Sequence, residues 1–152
     1  MHRYRQRVYY SDTDSGGIVY HARYLDFAEH ARTEMLREIA VSHQLEGAES
    51  KLFESLNLVF VVKSITADYQ SPAYLDDLLV VETVAESIKR FSLIFTQTVK
   101  RDGEVLCVMR VKVGSLDAVT LRPKAMGEAL LAAFAAERHD EERRELEIRR
   151  HL

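Results

Sequence analysis

The clearest pattern along the chain is a run of apolar residues spaced three and four apart, close to its beginning. This spacing places the side chains on one face of an α-helix, so it predicts an amphipathic helix with a buried apolar face. The apolar positions are Tyr24, Phe27, Ala28, Ala31, Met35 and Ile39. The charged residues that lie largely off this stripe are Glu29, Arg32, Arg37 and Glu38. Because the buried face carries aromatic rings, we expect the helix to be central in the fold.

From about residue 56 the pattern changes to a period of two, which is typical of β-strands. Four long strands are predicted to follow one another without an intervening helix, and a first strand is predicted to end at about Tyr10. Consecutive strands of this kind favour an antiparallel sheet, here of about five strands. Asp102 and Gly103 lie between the last two strands, and Asp-Gly is a strong hairpin signal. The fold class is therefore α+β, with a curved antiparallel sheet against one long helix.

The end of the chain has a different composition from the rest. After Pro123 the sequence predicts a short helix, and the residues that follow it are mostly charged. In this charged part Glu145 and Arg149 stand four apart, which mildly stabilises a helix. We therefore divide the chain into one domain over residues 1–136 and a charged helical tail over residues 137–152.

Composition and charge exclude several classes of protein. The chain has 152 residues, 47% of them hydrophobic, which is enough for one domain with its own core. A formal net charge of −3 gives no general electrostatic reason to bind nucleic acid. Cys107 is the single cysteine, so no intrachain disulfide can form. No run approaches the ~20 apolar residues of a membrane span, and no apolar leader is visible, so we expect a cytoplasmic protein.

Two carboxylates and two glycines stand together just before the predicted helix, in the stretch DTDSGG. Asp12, Asp14 and Gly17 match the start of an EF-hand calcium loop. That loop needs an oxygen ligand at its fifth position and a glutamate at its twelfth. Here these positions are Gly16 and Arg23, which disfavours calcium.

Three further kinds of site also fit this cluster poorly. Phosphatases with an aspartyl nucleophile need a buried parallel strand before the aspartates and alternating helices after them, whereas this chain continues as strands. A P-loop would need a lysine after the glycines, at a spacing that is missing here. A zinc site would need more ligands than His21 and His30.

Carbonyl chemistry and a structural role remain open for the cluster. The N-terminus of a helix presents unpaired N–H groups and a partial positive charge, and glycines before it let a substrate approach the backbone. Such a site can polarise an ester or thioester carbonyl while Asp14 attacks it or activates water. Asp12, by contrast, is expected to have a structural role in the turn.

The stretch DTDSGGIVYHARYLDFAEHARTEML resembles the signature of the 4-hydroxybenzoyl-CoA thioesterase-like hotdog family, and most closely its acyl-CoA thioesterases associated with the Tol-Pal system. The later SPAYLDDLLVVET and the Asp-Gly hairpin extend the resemblance over most of the chain, short of the charged tail. The resemblance implies a hotdog fold, in which a curved antiparallel sheet wraps around a central helix. It also implies a homodimer or homotetramer, with the two sheets of a dimer joined edge to edge and the active sites at their interface.

The resemblance further implies hydrolysis of acyl-CoA to a free acid and CoA. No metal or redox cofactor is implied, because CoA is part of the substrate. The catalytic carboxylate of the family falls on Asp14, as nucleophile or general base, and the helix N-terminal amide that polarises the carbonyl falls near His21, whose ring is a second candidate. Gly17 is expected to let the substrate approach the backbone, Tyr20 to shape the acyl pocket, and Arg90 to bind the phosphates of CoA.

Three alternatives to acyl-CoA hydrolysis stay open at this point. One is hydrolysis of acyl groups carried by acyl carrier protein, an acidic partner that a basic rim would favour. Another is a hotdog binding protein that docks to lipid-synthesis or Tol-Pal envelope proteins through its tail. The third is a hotdog dehydratase, which the stretch GGIVYH disfavours. If acyl-CoA is the substrate, Tyr20, Tyr24 and Phe27 predict a narrow pocket for short or aromatic acyl groups.

Overall fold

The computed structural model describes residues 1–45 and 56–151, without the side chains of residues 139–141. Within these ranges the strands are β1 (His2–Arg7), β2 (Leu58–Tyr69), β3 (Leu78–Ile88), β4 (Ser92–Arg101) and β5 (Glu104–Asp117), and the long helices are α1 (Arg23–Ser42) and α2 (Glu128–Arg150). The strands form one antiparallel sheet in the order β1-β3-β4-β5-β2. The predicted α+β class with a five-stranded antiparallel sheet is therefore confirmed.

The helix α1 packs its apolar stripe against one face of the sheet. Phe27 and Met35 are each 2% exposed and belong to the same buried cluster as Leu79 of β3. The helix α2 packs on the same face, where the rings of Phe95 and Phe134 meet edge to face with centroids 6.3 Å apart. The core therefore lies between this face and the two helices, as the alternation of apolar residues predicts.

Bulges and one tight turn shape the sheet. Its register shifts between Val62 and Ser64, between Ala85 and Ser87, and between Val99 and Lys100. Such bulges increase the local twist and bend the strands, which helps a sheet to curve around a helix. Between β4 and β5, Asp102 and Gly103 have φ values of 49° and 82°, as a tight hairpin turn requires. The predicted hairpin is confirmed.

The first strand ends earlier than the sequence predicts. Arg7 pairs with Leu78, which is the first residue of β3, so the sheet offers no strand partner beyond this point. The chain instead leaves the sheet and forms a 3₁₀ turn over Tyr10–Asp12. The end of β1 is set by the length of its neighbour, which the residues of β1 do not reveal.

The short helix predicted after Pro123 and the predicted helical tail form one continuous helix. The helix α2 continues for 23 residues into the charged part of the chain and ends at Arg150, while Leu152 lies outside the described residues. Its beginning is buried, with Phe134 at 1% exposure, whereas Ile148 near its end is 62% exposed. The division between a domain ending at residue 136 and a tail stays a prediction.

Candidate active site

The turn between β1 and α1 is held against the loop that connects β2 and β3. The N–H of Val19 donates to the carbonyl of Ala73 at 2.9 Å, and Ile18 forms an isolated bridge with Tyr74. Val19 and Ala73 are both buried. These contacts fix the turn at the end of the sheet where β3 begins.

Asp12 holds this turn from the inside. Its side chain is only 5% exposed. Oδ2 accepts a hydrogen bond from the N–H of Tyr9 at 2.8 Å, and Oδ1 lies 3.0 Å from both Nε and Nη2 of Arg23. The carbonyl of Asp12 also accepts the N–H of Tyr20 at 2.9 Å. Asp12 therefore joins the turn to the first residue of α1, which is a structural role with an arginine partner that the sequence did not reveal.

Asp14 lies at the rim of the same turn and is exposed. Oδ1 accepts the N–H of Gly16 at 2.8 Å, and the N–H of Asp14 donates to the carbonyl of Ile18 at 2.9 Å. These bonds fix the direction of the carboxylate. In the described ranges no hydrogen bond reaches its Oδ2. An oriented carboxylate with one oxygen available can attack a carbonyl carbon or take a proton from water.

The two glycines support this geometry in different ways. Gly17 has a φ of +82°, which residues with a Cβ rarely adopt. A Cβ on Gly16 would lie 3.1 Å from Oδ1 of Asp14 and would press on the carboxylate. On the side of Gly17 where a Cβ would stand, no described residue comes within 4 Å. A ligand can therefore approach the backbone here, and the substrate-binding role of Gly17 stays a prediction.

The N-terminus of α1 follows directly after this turn. No side chain of the described residues caps the helix. Among the hydrogen bonds of the described residues, none uses the backbone N–H of His21 or Ala22. Unpaired N–H groups at a helix N-terminus carry partial positive charge and bind ligand oxygen atoms. They can therefore stabilise the negative oxygen that forms when a carbonyl is attacked.

Tyr69, at the end of β2, supports the residues before α1 and was missed by the sequence analysis. Its hydroxyl donates to the carbonyl of His21 at 2.9 Å, and its ring meets those of His21 and Tyr24 edge to face, with centroids 6.4 Å and 5.4 Å away. The ring of Tyr20 lies 4.5 Å from that of His21. The structure thus brings Tyr20 and His21 together on the turn that carries Asp14.

Buried side chains form the floor below this turn. Tyr24 and Phe27, which the sequence assigned to an acyl pocket, are 3% and 2% exposed and belong to the core. The hydroxyl of Tyr24 accepts the N–H of Ala73 at 3.2 Å, and burial raises the pKa of Tyr24 above its ordinary value.

Burial also raises the pKa of the Cys107 thiol to about 11, so this thiol stays protonated and is a poor nucleophile.

Arg90 lies at the other end of the sheet. The strand β3 begins near the turn, where Leu78 pairs with Arg7, and its 11 residues span about 35 Å before Arg90 is reached. The guanidinium of Arg90 lies over the ring of Phe91, 5.3 Å from its centroid. Within one chain, the structure therefore does not bring Arg90 to Asp14.

The described residues contain neither a cluster that could hold a metal ion nor a helix that could span a membrane. No three side chains of His, Cys, Asp or Glu in this part of the chain come close enough together to hold a metal ion. None of the helices described is both long and apolar enough to cross a membrane.

Comparisons with known proteins give consistent matches. Residues 8–134 match the family described as the thioesterase-like superfamily. The chain is 44% identical over 128 residues to the acyl-CoA thioesterase YbgC of Haemophilus influenzae, which covers 84% of this chain and 90% of the relative. It is 41% identical over 135 residues to the acyl-CoA thioester hydrolase YbgC of Escherichia coli O6:H1, with 88% and 96% covered. The crystal structure of a probable thioesterase from Bartonella henselae superposes with a TM-score of 0.68 at 29% identity, covering 82% of this chain and 96% of that one.

Proposed function

The chain belongs to the thioesterase-like superfamily and is a thioester hydrolase with a hotdog fold, and from this premise we propose that it hydrolyses acyl-CoA to a free acid and CoA. The curated relatives support this substrate class, since their names are those of acyl-CoA thioesterases. The observation that carries the proposal is the oriented, exposed carboxylate of Asp14 on the turn that leads into the uncapped N-terminus of α1.

In the proposed reaction, N–H groups beside His21 bind the carbonyl oxygen of the thioester while Asp14 acts on the carbonyl carbon. As a nucleophile, an oxygen of Asp14 forms a bond to this carbon, and the electron pair of the C–S bond leaves with the sulfur of CoA. Water then hydrolyses the resulting anhydride. As a general base, Asp14 takes a proton from water while the water oxygen attacks, and the proton passes to the leaving sulfur. Both routes need a negative charge at Asp14.

The two candidate roles of His21 can be separated. Its backbone N–H precedes α1, whereas its ring lies between those of Tyr20 and Tyr69. In our proposal the amide polarises the carbonyl, and Tyr20, which is 46% exposed, contacts the acyl group. His21→Ala keeps the amide and removes the ring, so it measures the contribution of the ring alone.

We extend the proposal to a homodimer joined through β2. This strand is 12 residues long and forms one edge of the sheet, and Val62 and Tyr69 on it are 48% and 46% exposed. An exposed edge strand of this length is a template for pairing with another strand. A twofold axis that joins two copies of β2 into one continuous sheet makes the strands antiparallel.

This pairing would also place Arg90 beside the candidate site. The N–H of Ser115 donates to the carbonyl of Phe91 at 3.0 Å, and Ser115 pairs with Phe60, so Arg90 lies near the beginning of β2. In an antiparallel pair, the beginning of one β2 lies beside the end of the other, where Tyr69 supports the His21 turn. Arg90 of the partner subunit could then bind the phosphates of CoA held at the Asp14 turn. Sedimentation analysis that finds only a monomer would contradict this arrangement.

The decisive experiment measures CoA release from a series of acyl-CoA substrates with the native protein and with Asp14→Asn. The substitution keeps the size of the side chain and removes its charge, so kcat should fall on the order of 100-fold or more. The matched control is Asp102→Asn, because Asn-Gly favours the same hairpin turn as Asp-Gly. An inactive native protein, or a fully active Asp14→Asn variant, would contradict the proposal.

The remaining expectations stay predictions. Running the same assay with acyl groups on acyl carrier protein separates that substrate from acyl-CoA. A pulldown that depends on residues 137–152 would support docking to lipid-synthesis or Tol-Pal envelope proteins. Cell fractionation tests the cytoplasmic location.

A further inference from the structure

A cavity of about 260 Å³ lies between α1, the sheet and α2, away from the Asp14 turn. We call it the Arg32 cavity. Most of its wall is apolar and includes the rings of Phe60, Phe95 and Phe134. Among the described residues that line it, the polar side chains are Glu29, Arg32 and Thr33 of α1. The cavity therefore combines a surface that suits a hydrocarbon with a small polar group at one side.

Arg32 lies in this cavity without a carboxylate partner among the described residues. Its Nη1 donates to Oε1 of Gln97 at 2.9 Å, and among the described residues no carboxylate forms an ion pair with it. The side chain is half-buried, and this burial lowers the pKa of the guanidinium although the charge of Glu29 opposes the effect. A half-buried cation with one neutral partner retains a desolvation cost that an anion would reduce.

Gln97 fixes the position of Arg32 from below. Gln97 is fully buried, and its Nε2 donates to the carbonyl of Ala28 at 2.9 Å and to the hydroxyl of Thr83 at 3.0 Å. Because these bonds orient the amide, its Oε1 has to face Arg32. A guanidinium has five N–H donors, so the bond to Gln97 leaves donors for a planar, paired contact with a carboxylate.

Glu29 is the other charged group among the described residues of the cavity, and its negative charge opposes the binding of an anion by Arg32. One of its oxygens accepts the hydroxyl of Thr33 at 3.1 Å, and the other lies 3.7 Å from Nε2 of His30. Its side chain is 57% exposed, so water and salt screen its charge more than that of Arg32. Glu29 should therefore weaken the attraction for an anion without cancelling it.

The cavity lies along α1 from the candidate active site. Arg32 is nine residues after the first residue of α1, which corresponds to about 14 Å along the helix axis. On the helix side of β2, Ile65 and Ala67 lie between the cavity residue Val62 and Tyr69. An extended chain advances by about 1.2 Å per bond, so roughly ten to twelve carbons connect the N-terminus of α1 to Arg32.

We propose that the Arg32 cavity binds the far end of the acyl group and selects acyl chains of about ten to twelve carbons that end in a carboxylate. The apolar wall takes the methylene chain, and the guanidinium of Arg32 pairs with the terminal carboxylate. This inference rests on the proposed function, because it places the thioester end of the same substrate at the Asp14 turn.

The first test compares kcat/KM for acyl-CoA substrates of about twelve carbons that end in a methyl, a hydroxyl or a carboxylate group. We expect the carboxylate to be preferred over the methyl group by about tenfold, the effect of roughly one charge-assisted hydrogen bond. Arg32→Met keeps the apolar stem and should abolish the preference through KM, whereas Arg32→Lys should retain part of it. The control Arg37→Met changes the same helix at a groove beside β1 and should leave the preference intact.

Binding of the free acids tests the cavity without turnover. Calorimetry with a monocarboxylic acid and a primary alcohol of about twelve carbons should show tighter binding of the acid by about tenfold in the native protein. Arg32→Met should remove this difference, and Glu29→Gln should increase it. Equal binding of the acid and the alcohol, with equal turnover of the carboxylate-ended and methyl-ended acyl chains, would overturn the inference, even if Arg32→Met did not fold. If no acyl-CoA were hydrolysed, the proposed function would fail, while tighter binding of the acid that Arg32→Lys retains would still support the cavity.

Discussion

Two carboxylates that stand two residues apart in one turn have opposite surroundings. Asp12 is 5% exposed and both of its oxygens are engaged, by the N–H of Tyr9 and by Arg23. Asp14 is exposed, and the bond from Gly16 fixes one of its oxygens. The turn thus has a buried inner side, where Asp12 holds the chain in place, and an exposed rim, where the oriented charge of Asp14 faces water. A buried, paired charge serves the fold, whereas an exposed charge of fixed direction is suited to chemistry.

Replacing each of the two aspartates in turn should give the largest difference between the buried inner side of the turn and its rim. Asp12→Asn should lower the free energy of unfolding by about 2 kcal/mol, because Arg23 would lose its buried anionic partner and keep only the exposed Asp26, 3.0 Å from its Nη1. Asp14→Asn should change it by less than about 1 kcal/mol, since the side chain is exposed and Asn can still accept the Gly16 bond. Urea unfolding of both variants beside the native protein measures the difference. Equal losses would show that the two carboxylates do not differ in this way.

The two glycines sharpen the same comparison within the rim. Gly17→Ala should cost about 1 kcal/mol of stability, because its φ of +82° strains a residue with a Cβ. Gly16→Ala should cost less stability but lower kcat by roughly tenfold, since the added Cβ would stand 3.1 Å from Oδ1 of Asp14 and displace the carboxylate. Urea unfolding and CoA release measure the two effects. A Gly16→Ala variant with full activity would mean that the direction of Asp14 is not critical.

Much of the fold could be predicted because apolar periodicity reports burial directly. The stripe containing Phe27 and Met35 predicted α1, and the alternation in the later chain predicted the sheet and its Asp-Gly hairpin. The residues at which strands and helices end were harder to predict from the sequence. The end of β1 depends on where β3 begins, and α2 continues through charged residues that carry no apolar stripe. The end of β1 is set by its neighbouring strand, and the end of α2 by the continuity of the helix. Neither is visible in the local residues.

The candidate site could likewise be predicted only in part from the sequence. Asp14, Gly17 and His21 are close in sequence, so one turn brings them together and the sequence could identify them. The bonds that hold this turn join Asp12 to Arg23 and Tyr69 to His21, residues that are 11 and 48 positions apart. No spacing rule links such residues. Arg32 lies largely off the apolar stripe, so nothing in the sequence indicated its half-buried position, which depends on a glutamine in β4.

Tyr69→Phe makes the smallest change that tests how the rim is supported. It removes the hydroxyl that donates to the carbonyl of His21 and keeps the ring that packs on Tyr24, so we expect a loss of stability of about 1 kcal/mol or less. If this bond positions the N–H groups before α1, kcat should fall several-fold while KM changes little, because an oriented N–H acts mainly on the transition state. Tyr74→Phe is the matched control, since Tyr74 is similarly exposed and no hydrogen bond of its hydroxyl is found among the described residues. Equal kinetics for the two variants would mean that the helix N-terminus is positioned without Tyr69, by the Asp12–Arg23 pair on the buried inner side of the turn.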